Sequence, residues 1–121
     1  MSKRVLVVDD QEDNRRILRD LLTSVGYEII EAEDGEQAII AGAVRRPDLI
    51  LMDIQMPRLD GYDATRRIKA DPTLRAIPVI VVTSYALSGD EERALAAGCD
   101  AYIAKPYSPR QLLARVREFL P

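Results

Sequence analysis

Four consecutive apolar residues, at positions 49–52, stand between Pro47-Asp48 and Asp53. The run is too short for a helix. An apolar residue at every position, bounded by these polar residues and prolines, indicates a strand buried on both faces. The stretch therefore predicts one strand of a parallel sheet that ends on a carboxylate.

Short strands alternate with helical segments along the whole chain. The predicted strands are 5–8, 28–31, 49–53, 78–82 and 101–104, and the predicted helices are 12–25, 35–44, 61–70, 88–98 and 109–120. Such alternation implies a parallel sheet covered by helices on both sides, with right-handed crossovers. We predict an α/β fold of the flavodoxin-like, doubly wound (βα)5 type with strand order 2-1-3-4-5.

Capping residues and apolar spacing predict where the helices begin and which faces they bury. The expected caps are Asp34, Asp60 and Ser108, and a capping box of Ser88 with Glu91. The expected buried faces hold Ile17, Leu18, Leu21, Leu22 and Val25 in the first helix, Leu95 and Ala96 in the fourth, and Leu112, Leu113, Val116 and Leu120 in the fifth.

The composition narrows the class of protein. A chain of 121 residues is about the size of one domain, so we expect residues 1–121 to form a single unit. Its 17 basic and 20 acidic residues give a net charge of −3 without a basic block, which favours proteins or small ions over nucleic acid or membrane as partners. Without a signal peptide or an apolar run of transmembrane length, we expect a cytoplasmic protein.

Histidine is absent from the sequence, and cysteine occurs once. The absence of histidine removes most zinc sites, histidine acid–base catalysis and phosphohistidine from this chain. Cys99 follows Gly98, and we expect it to be a small buried residue rather than a nucleophile.

Polar residues follow four of the predicted strands: Asp9-Asp10, Asp53, Thr83 and Lys105. Open parallel sheets bind ligands outside the carboxyl ends of their strands, where the winding direction reverses. Each residue also has a simple structural explanation, since Asp10 can cap a helix, Thr83 can be an ordinary strand residue, and Asp53 and Lys105 can face water. Their joint position at one rim favours a site, because chance would scatter them over both ends of the sheet.

The donors at this rim predict a Mg²⁺ site that handles a phosphoryl group. Crowded carboxylates raise one another's pKa values unless a cation offsets the repulsion. Oxygen ligands in an incomplete set suit Mg²⁺ better than a calcium cage. Asp53 is the expected nucleophile because aspartate can form an acyl phosphate. Lys105 would offset charge on the transferring oxygens, and Thr83 would hydrogen-bond one of them.

The sequence resembles the receiver domains of two-component response regulators, the CheY-like superfamily, over essentially its whole length. The resemblance rests on the acidic pair after strand one, on Asp53-Ile54-Gln55-Met56-Pro57 with Asp60-Gly61 just beyond, on the threonine after strand four, and on Lys105-Pro106 after strand five. It implies a bacterial phosphorylation switch whose only reactions are its own phosphorylation and dephosphorylation.

The resemblance implies a set of metal ligands. Asp10 and Asp53 would bind Mg²⁺ directly, and Asp53 would also be the phosphoacceptor. Asp9 would act through metal-bound water, and the backbone carbonyl of Gln55 would complete the protein ligands.

The resemblance also implies how phosphorylation is sensed. Thr83 and Lys105 would bind the phosphoryl group, with a cis bond between Lys105 and Pro106. Tyr102 would turn inward when Thr83 moves toward the phosphate, although it can also be a half-exposed aromatic on an edge strand. Gln55 and Tyr85 would both lie near the entry of an attacking water and so would influence the lifetime of the phosphoryl group.

The segments 89–93 and 98–103 look closest to stand-alone regulators of the DivK type. Such a regulator implies a sensor histidine kinase or histidine phosphotransfer protein as donor and a downstream protein as target. The fourth helix, fifth strand and fifth helix would bind the target or a second copy, so the chain would be a monomer or a weak homodimer. A receiver excised from a hybrid kinase or a larger regulator is the alternative.

Other protein classes match the pattern less well. A flavin-binding electron carrier has this fold but needs a Ser/Thr/Gly-rich loop after strand one, where two aspartates repel phosphate. An aspartyl-phosphate hydrolase usually needs an acid where this chain has Gln55. A structural pseudo-receiver would have lost part of the site.

Overall fold

A computed structural model describes residues 2–83 and 90–121, and the side chains of all of these except Asp90 and Glu91. In chain order the elements are β1 (Arg4–Val8), α1 (Glu12–Ser24), β2 (Glu28–Ala32), α2 (Gly35–Arg45), β3 (Leu49–Asp53), α3 (Gly61–Ala70), β4 (Val79–Thr83), α4 (Asp90–Ala96), β5 (Ala101–Ala104) and α5 (Pro109–Phe119). All the predicted elements are present, and several of their described ends are shifted by one or two residues; residues 88 and 89, where the fourth helix is predicted to begin, lie outside the described part of the chain.

The strands form one parallel sheet in the order β2-β1-β3-β4-β5, which confirms the prediction. The winding direction reverses between β1 and β3, where Val8 pairs with Met52. Asp53 pairs with Val82 of β4, and Thr83 pairs with Ala104 of β5. The polar residues at or just beyond the carboxyl ends of β1, β3, β4 and β5 therefore meet at one edge of the sheet.

Two apolar cores lie on the two faces of the sheet. One core joins the sheet to α2, α3 and α4, through residues that include Ala38, Ile68 and Ala94. The other joins it to α1 and α5, through Leu18, Leu22, Leu112 and Val116. Every residue of β3 is buried because helices cover both faces, as the apolar run predicted.

The predicted caps at Asp34, Asp60 and Ser108 are confirmed. Asp34 and Asp60 accept hydrogen bonds from backbone N–H groups three residues on, and Ser108 forms a capping box with Gln111. The predicted capping box of Ser88 and Glu91, and the predicted role of Tyr85, lie outside the described residues.

Helices α1 and α4 bury different faces from those predicted. In α1 the buried stripe is Arg15, Leu18 and Leu22, whereas Ile17 is 59% exposed and Val25 is 38% exposed. Ile17 lies off the stripe because successive helical residues point about 100° apart, whereas Val25 is the C-cap, beyond the last helical residue, Ser24.

The error in α4 has the same physical origin. Ala94 and Ala97, three residues apart, face the core, whereas Leu95 is 54% exposed and Ala96 is also exposed. The predicted burial of Cys99 is confirmed. Among the helices that the structure describes, none has the length and apolar character needed to cross a membrane.

Candidate functional site

Three carboxylates meet at the carboxyl edge of the sheet, where β1 and β3 end. Asp9, Asp10 and Asp53 each place a carboxylate oxygen within 4.8 Å of the others. Asp9 and Asp53 are buried, and Asp10 is exposed. The structural alternative for Asp10 does not apply, because Gln11 is the N-cap of α1. The cluster is thus half-buried and open on one side.

Lys105 brings a positive charge to the same edge. Its Nζ lies 3.7 Å from Oδ2 of Asp9 and 3.7 Å from Oδ1 of Asp53. Its backbone N–H donates a 2.6 Å hydrogen bond to the carbonyl of Thr83, which fixes the start of the loop beyond β5. The Lys105-Pro106 bond is cis, as the resemblance implied.

The remaining predicted residues lie around this centre. Thr83 is buried at the end of β4, one residue past the register partner of Asp53. Tyr102 is half-buried on the edge strand β5, opposite Val81. Gln55 is exposed, two residues beyond the end of Asp53's strand.

Burial dominates the electrostatics of Asp53. The pKa of its carboxyl group is raised from 3.8 to about 6: removal from water raises it most, nearby Lys105 lowers it, and the negative charge of Asp9 raises it. The charge crowding that the sequence predicts contributes through Asp9 and Asp10, which both raise this pKa. Desolvation has the larger effect because β3 is covered on both faces.

The backbone that carries Asp53 is closely packed. The N–H of Ile54 donates to Val82, and the N–H of Gly61 donates to Ile54. A Cβ at position 61 would lie 2.2 Å from the carbonyl oxygen of Asp53. Only glycine allows α3 to begin so close to the strand end.

A cavity of about 400 Å³ opens beside the acidic cluster, between α1 and the loop before α5. Its polar lining includes Asp9, Asp53 and Lys105. Its apolar lining includes Ile17, Leu18, Leu21, Pro106 and Tyr107. The site therefore combines a charged centre with an apolar wall.

Three residues near the site were missed by the sequence reasoning. Arg15 is 6% exposed and donates to the carbonyl of Asp9, while Ile17 and Tyr107 line the cavity. A signal for Arg15 was present, because positions 15, 18 and 22 share one helical stripe. The other two depend on the path of the loop after β5, which local sequence patterns do not define.

The donor set fits a hard divalent cation. All three side chains of the cluster are carboxylates, their oxygens are close enough to share one ion, and the exposed side leaves room for water and a substrate oxygen. Asp10 and Asp53 are candidates for direct contact. The deep position of Asp9 beside Lys105 suits a supporting role.

Comparison of the sequence with known proteins gives full-length matches. Residues 5–117 match the family model of the response regulator receiver domain. The polar-differentiation response regulator DivK of Brucella anthropi is 45% identical over 120 residues, which cover 99% of this chain and 98% of that protein. The protein of the same name from Brucella ovis is 44% identical over the same length.

Solved structures agree in fold. The receiver domain of a sensor histidine kinase from Pseudomonas aeruginosa superposes with a TM-score of 0.91 at 38% identity, covers 99% of this chain and 98% of that one, and has a magnesium ion coordinated in its active-site cleft. A chemotaxis response regulator from Vibrio cholerae has a TM-score of 0.91 at 25% identity, with 98% and 99% of the two chains covered. The chain therefore belongs to the response regulator receiver family, whose members are phosphorylation-dependent signalling switches.

Proposed function

We propose that this chain is a DivK-like cytoplasmic switch that accepts a phosphoryl group on Asp53 from the phosphohistidine of a sensor histidine kinase or histidine phosphotransfer protein. All of residues 1–121 would act as one receiver. The observation that carries the proposal is the position of Lys105, whose Nζ lies 3.7 Å from both Asp9 and Asp53 beside a third carboxylate. A carboxylate nucleophile and a fixed cation at one strand edge are arranged for phosphoryl transfer.

In the transfer, a carboxylate oxygen of Asp53 forms a bond to phosphorus as the bond from phosphorus to the donor imidazole nitrogen breaks. The imidazole, protonated at its other ring nitrogen, keeps the electron pair of that bond and leaves as neutral histidine. With its pKa raised only to about 6, Asp53 is mostly ionised near neutral pH and can act as the nucleophile. Lys105 binds a phosphoryl oxygen, and the Thr83 hydroxyl donates a hydrogen bond to another.

Asp10 and Asp53 would hold Mg²⁺ directly, with Asp9 acting through water and the Gln55 backbone carbonyl completing the protein ligands. When bound, Mg²⁺ offsets negative charge on the phosphoryl oxygens and on the carboxylates. Like-charge repulsion among the three aspartates supports this assignment, because one divalent ion would relieve it.

The output would pass from Thr83 to Tyr102. The two residues lie on neighbouring strands, since Val81 pairs with Tyr102 and Thr83 with Ala104. Movement of Thr83 toward the phosphate would leave space into which Tyr102 turns, which changes the face formed by α4, β5 and α5. The exposed Leu95 on α4 supports this face as the contact for a downstream protein or a weak homodimer.

The donor would dock on the cavity beside α1. These 121 residues contain no histidine, so the phosphohistidine has to come from outside them. Ile17 is 59% exposed and lines the cavity that reaches Asp53. An apolar contact next to the acceptor would hold a partner helix while its histidine reaches the carboxylate.

Labelling with acetyl phosphate in Mg²⁺ tests the phosphoacceptor. Intact-protein mass spectrometry is expected to show one added phosphoryl group on the wild type and on Asp63→Asn, an exposed aspartate of α3 that serves as control. Asp53→Asn is expected to show none. Undiminished labelling of Asp53→Asn would overturn the proposal.

A further inference from the structure

We propose that Arg15 is a positioning residue for the Mg²⁺ site, because its buried guanidinium holds the backbone turn that carries Asp9 and Asp10. The inference rests on the proposed function, which assigns Mg²⁺ to that site. It adds a residue that would not itself contact the ion or the phosphoryl group.

The guanidinium of Arg15 lies behind the acidic turn. Arg15 is 6% exposed, and its Nη1 donates a 2.6 Å hydrogen bond to the carbonyl oxygen of Asp9. Its Nε donates to Oε1 of Glu31 at 3.2 Å, and its Nη2 pairs with Glu12 and lies 3.5 Å from Oε1 of Glu33. A buried charge with partners at several nitrogens is held in one orientation.

The contact with the Asp9 carbonyl controls the direction of the next residue. A peptide unit is planar, so the carbonyl of Asp9 and the N–H of Asp10 turn together. The other side of the turn is fixed by the Asp9 N–H, which donates to Ala32 at 3.1 Å, and by the Asp9 carboxylate, which accepts from the Gln11 N–H at 2.8 Å. Arg15 therefore fixes the peptide from which the exposed Asp10 side chain reaches the cluster.

Arg15 also neutralises carboxylates that would otherwise add to the negative field. Glu12, Glu31 and Glu33 all come within ion-pair distance of its guanidinium. Without that charge these acids would repel the cluster and offer a cation other places to bind. The geometric and the electrostatic effects act on the same quantity, the affinity of the three-aspartate cluster for Mg²⁺.

Arg19 provides a matched control. It pairs with Glu31 at 2.9 Å and with Glu12 at 3.8 Å, so it shares two of the partners of Arg15. Its described contacts are with these side chains rather than with the Asp9 backbone. Loss of either arginine removes one positive charge from beside Glu12 and Glu31. Of the two arginines, only Arg15 also holds the turn.

The test measures Mg²⁺ binding by isothermal titration calorimetry on the full chain, with Mn²⁺ binding by electron paramagnetic resonance as a second probe. Arg15→Met is expected to weaken both affinities by about tenfold or more, the usual effect of losing a residue that orients metal ligands. Arg19→Met is expected to change them by less than about threefold. Arg15→Lys, which restores one donor and the charge, is expected to recover part of the loss.

Urea unfolding separates positioning from stability, because a merely structural role would lower the midpoint without weakening metal binding by the folded protein. Wild-type affinity in folded Arg15→Met, or an equal loss in Arg19→Met, would overturn the proposal. If Arg15→Met does not fold, Arg15→Lys is compared with Arg19→Lys, and equal affinities overturn it. A wild type that binds no Mg²⁺ would overturn the proposed function as well. If the wild type binds Mg²⁺ and the Arg15 variants bind it equally well, only the role proposed for Arg15 is overturned.

Discussion

The ammonium group of Lys105 lies 3.7 Å from Oδ1 of Asp53, across the edge of the sheet where β3 and β5 end. β4 separates these two strands, so the long side chain of Lys105 spans the intervening strand end to reach the carboxylate. Lys105 lowers the pKa of Asp53, and burial raises it. The balance of these two effects determines how much of Asp53 is ionised at a given pH.

Replacing Lys105 by methionine removes the cation and keeps most of the apolar side chain. The pKa of Asp53 is then expected to rise above about 6, because burial and Asp9 are no longer opposed. Labelling by acetyl phosphate in Mg²⁺ is expected to slow by about a hundredfold, since a charge that stabilises the transferring group is lost. Lys3→Met, at an exposed residue outside the site, is the control. Labelling of Lys105→Met at the wild-type rate would contradict the role given to this residue.

Asp53 is expected to make the stability of the Mg²⁺-free protein depend on pH. Its pKa is 3.8 when unperturbed and about 6 in the folded state, so the folded protein holds more protons than the unfolded chain between these values. The contribution of this group to the free energy of unfolding is fully present below the lower pKa and is lost as the pH rises through the upper one. Above the upper pKa the carboxylate is ionised but still buried, which lowers the free energy of unfolding.

Asp53→Asn tests this dependence, because asparagine stays neutral. At neutral pH without Mg²⁺ the variant is expected to be more stable by on the order of 1 kcal/mol, less than the full pKa shift implies because the site is partly solvated. The gain is expected to shrink as the pH falls through the window. Urea unfolding followed by circular dichroism measures it, with Asp63→Asn as control. If the stability gained by Asp53→Asn grows toward acid pH, the predicted direction of the pH dependence is wrong.

The fold could be predicted because its signals are local. Apolar strands such as β3, caps such as Asp34 and Ser108, and the alternation of elements each restrict the topology, and the polar strand ends then fall at one edge. Helix faces were harder to predict, because Ile17 and Leu95 are apolar residues that the fold leaves exposed. Apolar spacing alone does not separate a core residue from one on a binding surface.

The roles of residues that support the site depend on contacts between distant parts of the chain. Arg15 is buried because α1 packs beside β2, whose Glu31 lies 16 positions further along the sequence. Burial also raises the pKa of Tyr107, and the charges of Asp9 and Asp53 raise it further. Neither relationship follows from local periodicity, since each requires the packed sheet.

Gly61 is expected to be intolerant of a side chain. A Cβ there would lie 2.2 Å from the carbonyl oxygen of Asp53 and 2.8 Å from Cα of Ile54, so the backbone that carries the acceptor would have to move. Gly61→Ala is expected to destabilise the protein by about 2 kcal/mol and to slow acetyl phosphate labelling. Urea unfolding and mass spectrometry measure the two effects.

Gly42→Ala is the matched control for this prediction. Its Cβ would lie 3.6 Å from Cδ2 of Leu74, an ordinary contact, and alanine favours the helix by about 1 kcal/mol. Gly42→Ala is therefore expected to stabilise α2 and to leave labelling unchanged. A Gly61→Ala protein as stable and as readily labelled as the wild type would contradict the close packing of α3 on the strand end.

Ile17 is expected to separate a protein donor from a small-molecule donor. It is 59% exposed on α1 and lines the cavity that reaches Asp53, whereas it takes no part in the charged centre. Ile17→Ser is expected to slow phosphotransfer from a histidine kinase or phosphotransfer protein of the same host by about tenfold, the loss typical of a central apolar contact. Labelling by acetyl phosphate is expected to stay at the wild-type rate, because that donor needs no docking surface.

The control for Ile17 is Ile40→Ser on α2. Ile40 is 63% exposed, and α2 packs on the opposite face of the sheet from α1. The two variants thus remove an equally exposed isoleucine from opposite faces of the protein, and only Ile17 adjoins the cavity. Radiolabelled phosphotransfer under single-turnover conditions measures both rates. Equal slowing by the two variants would place the donor elsewhere, because a specific contact beside Asp53 predicts that the α1 variant alone is impaired.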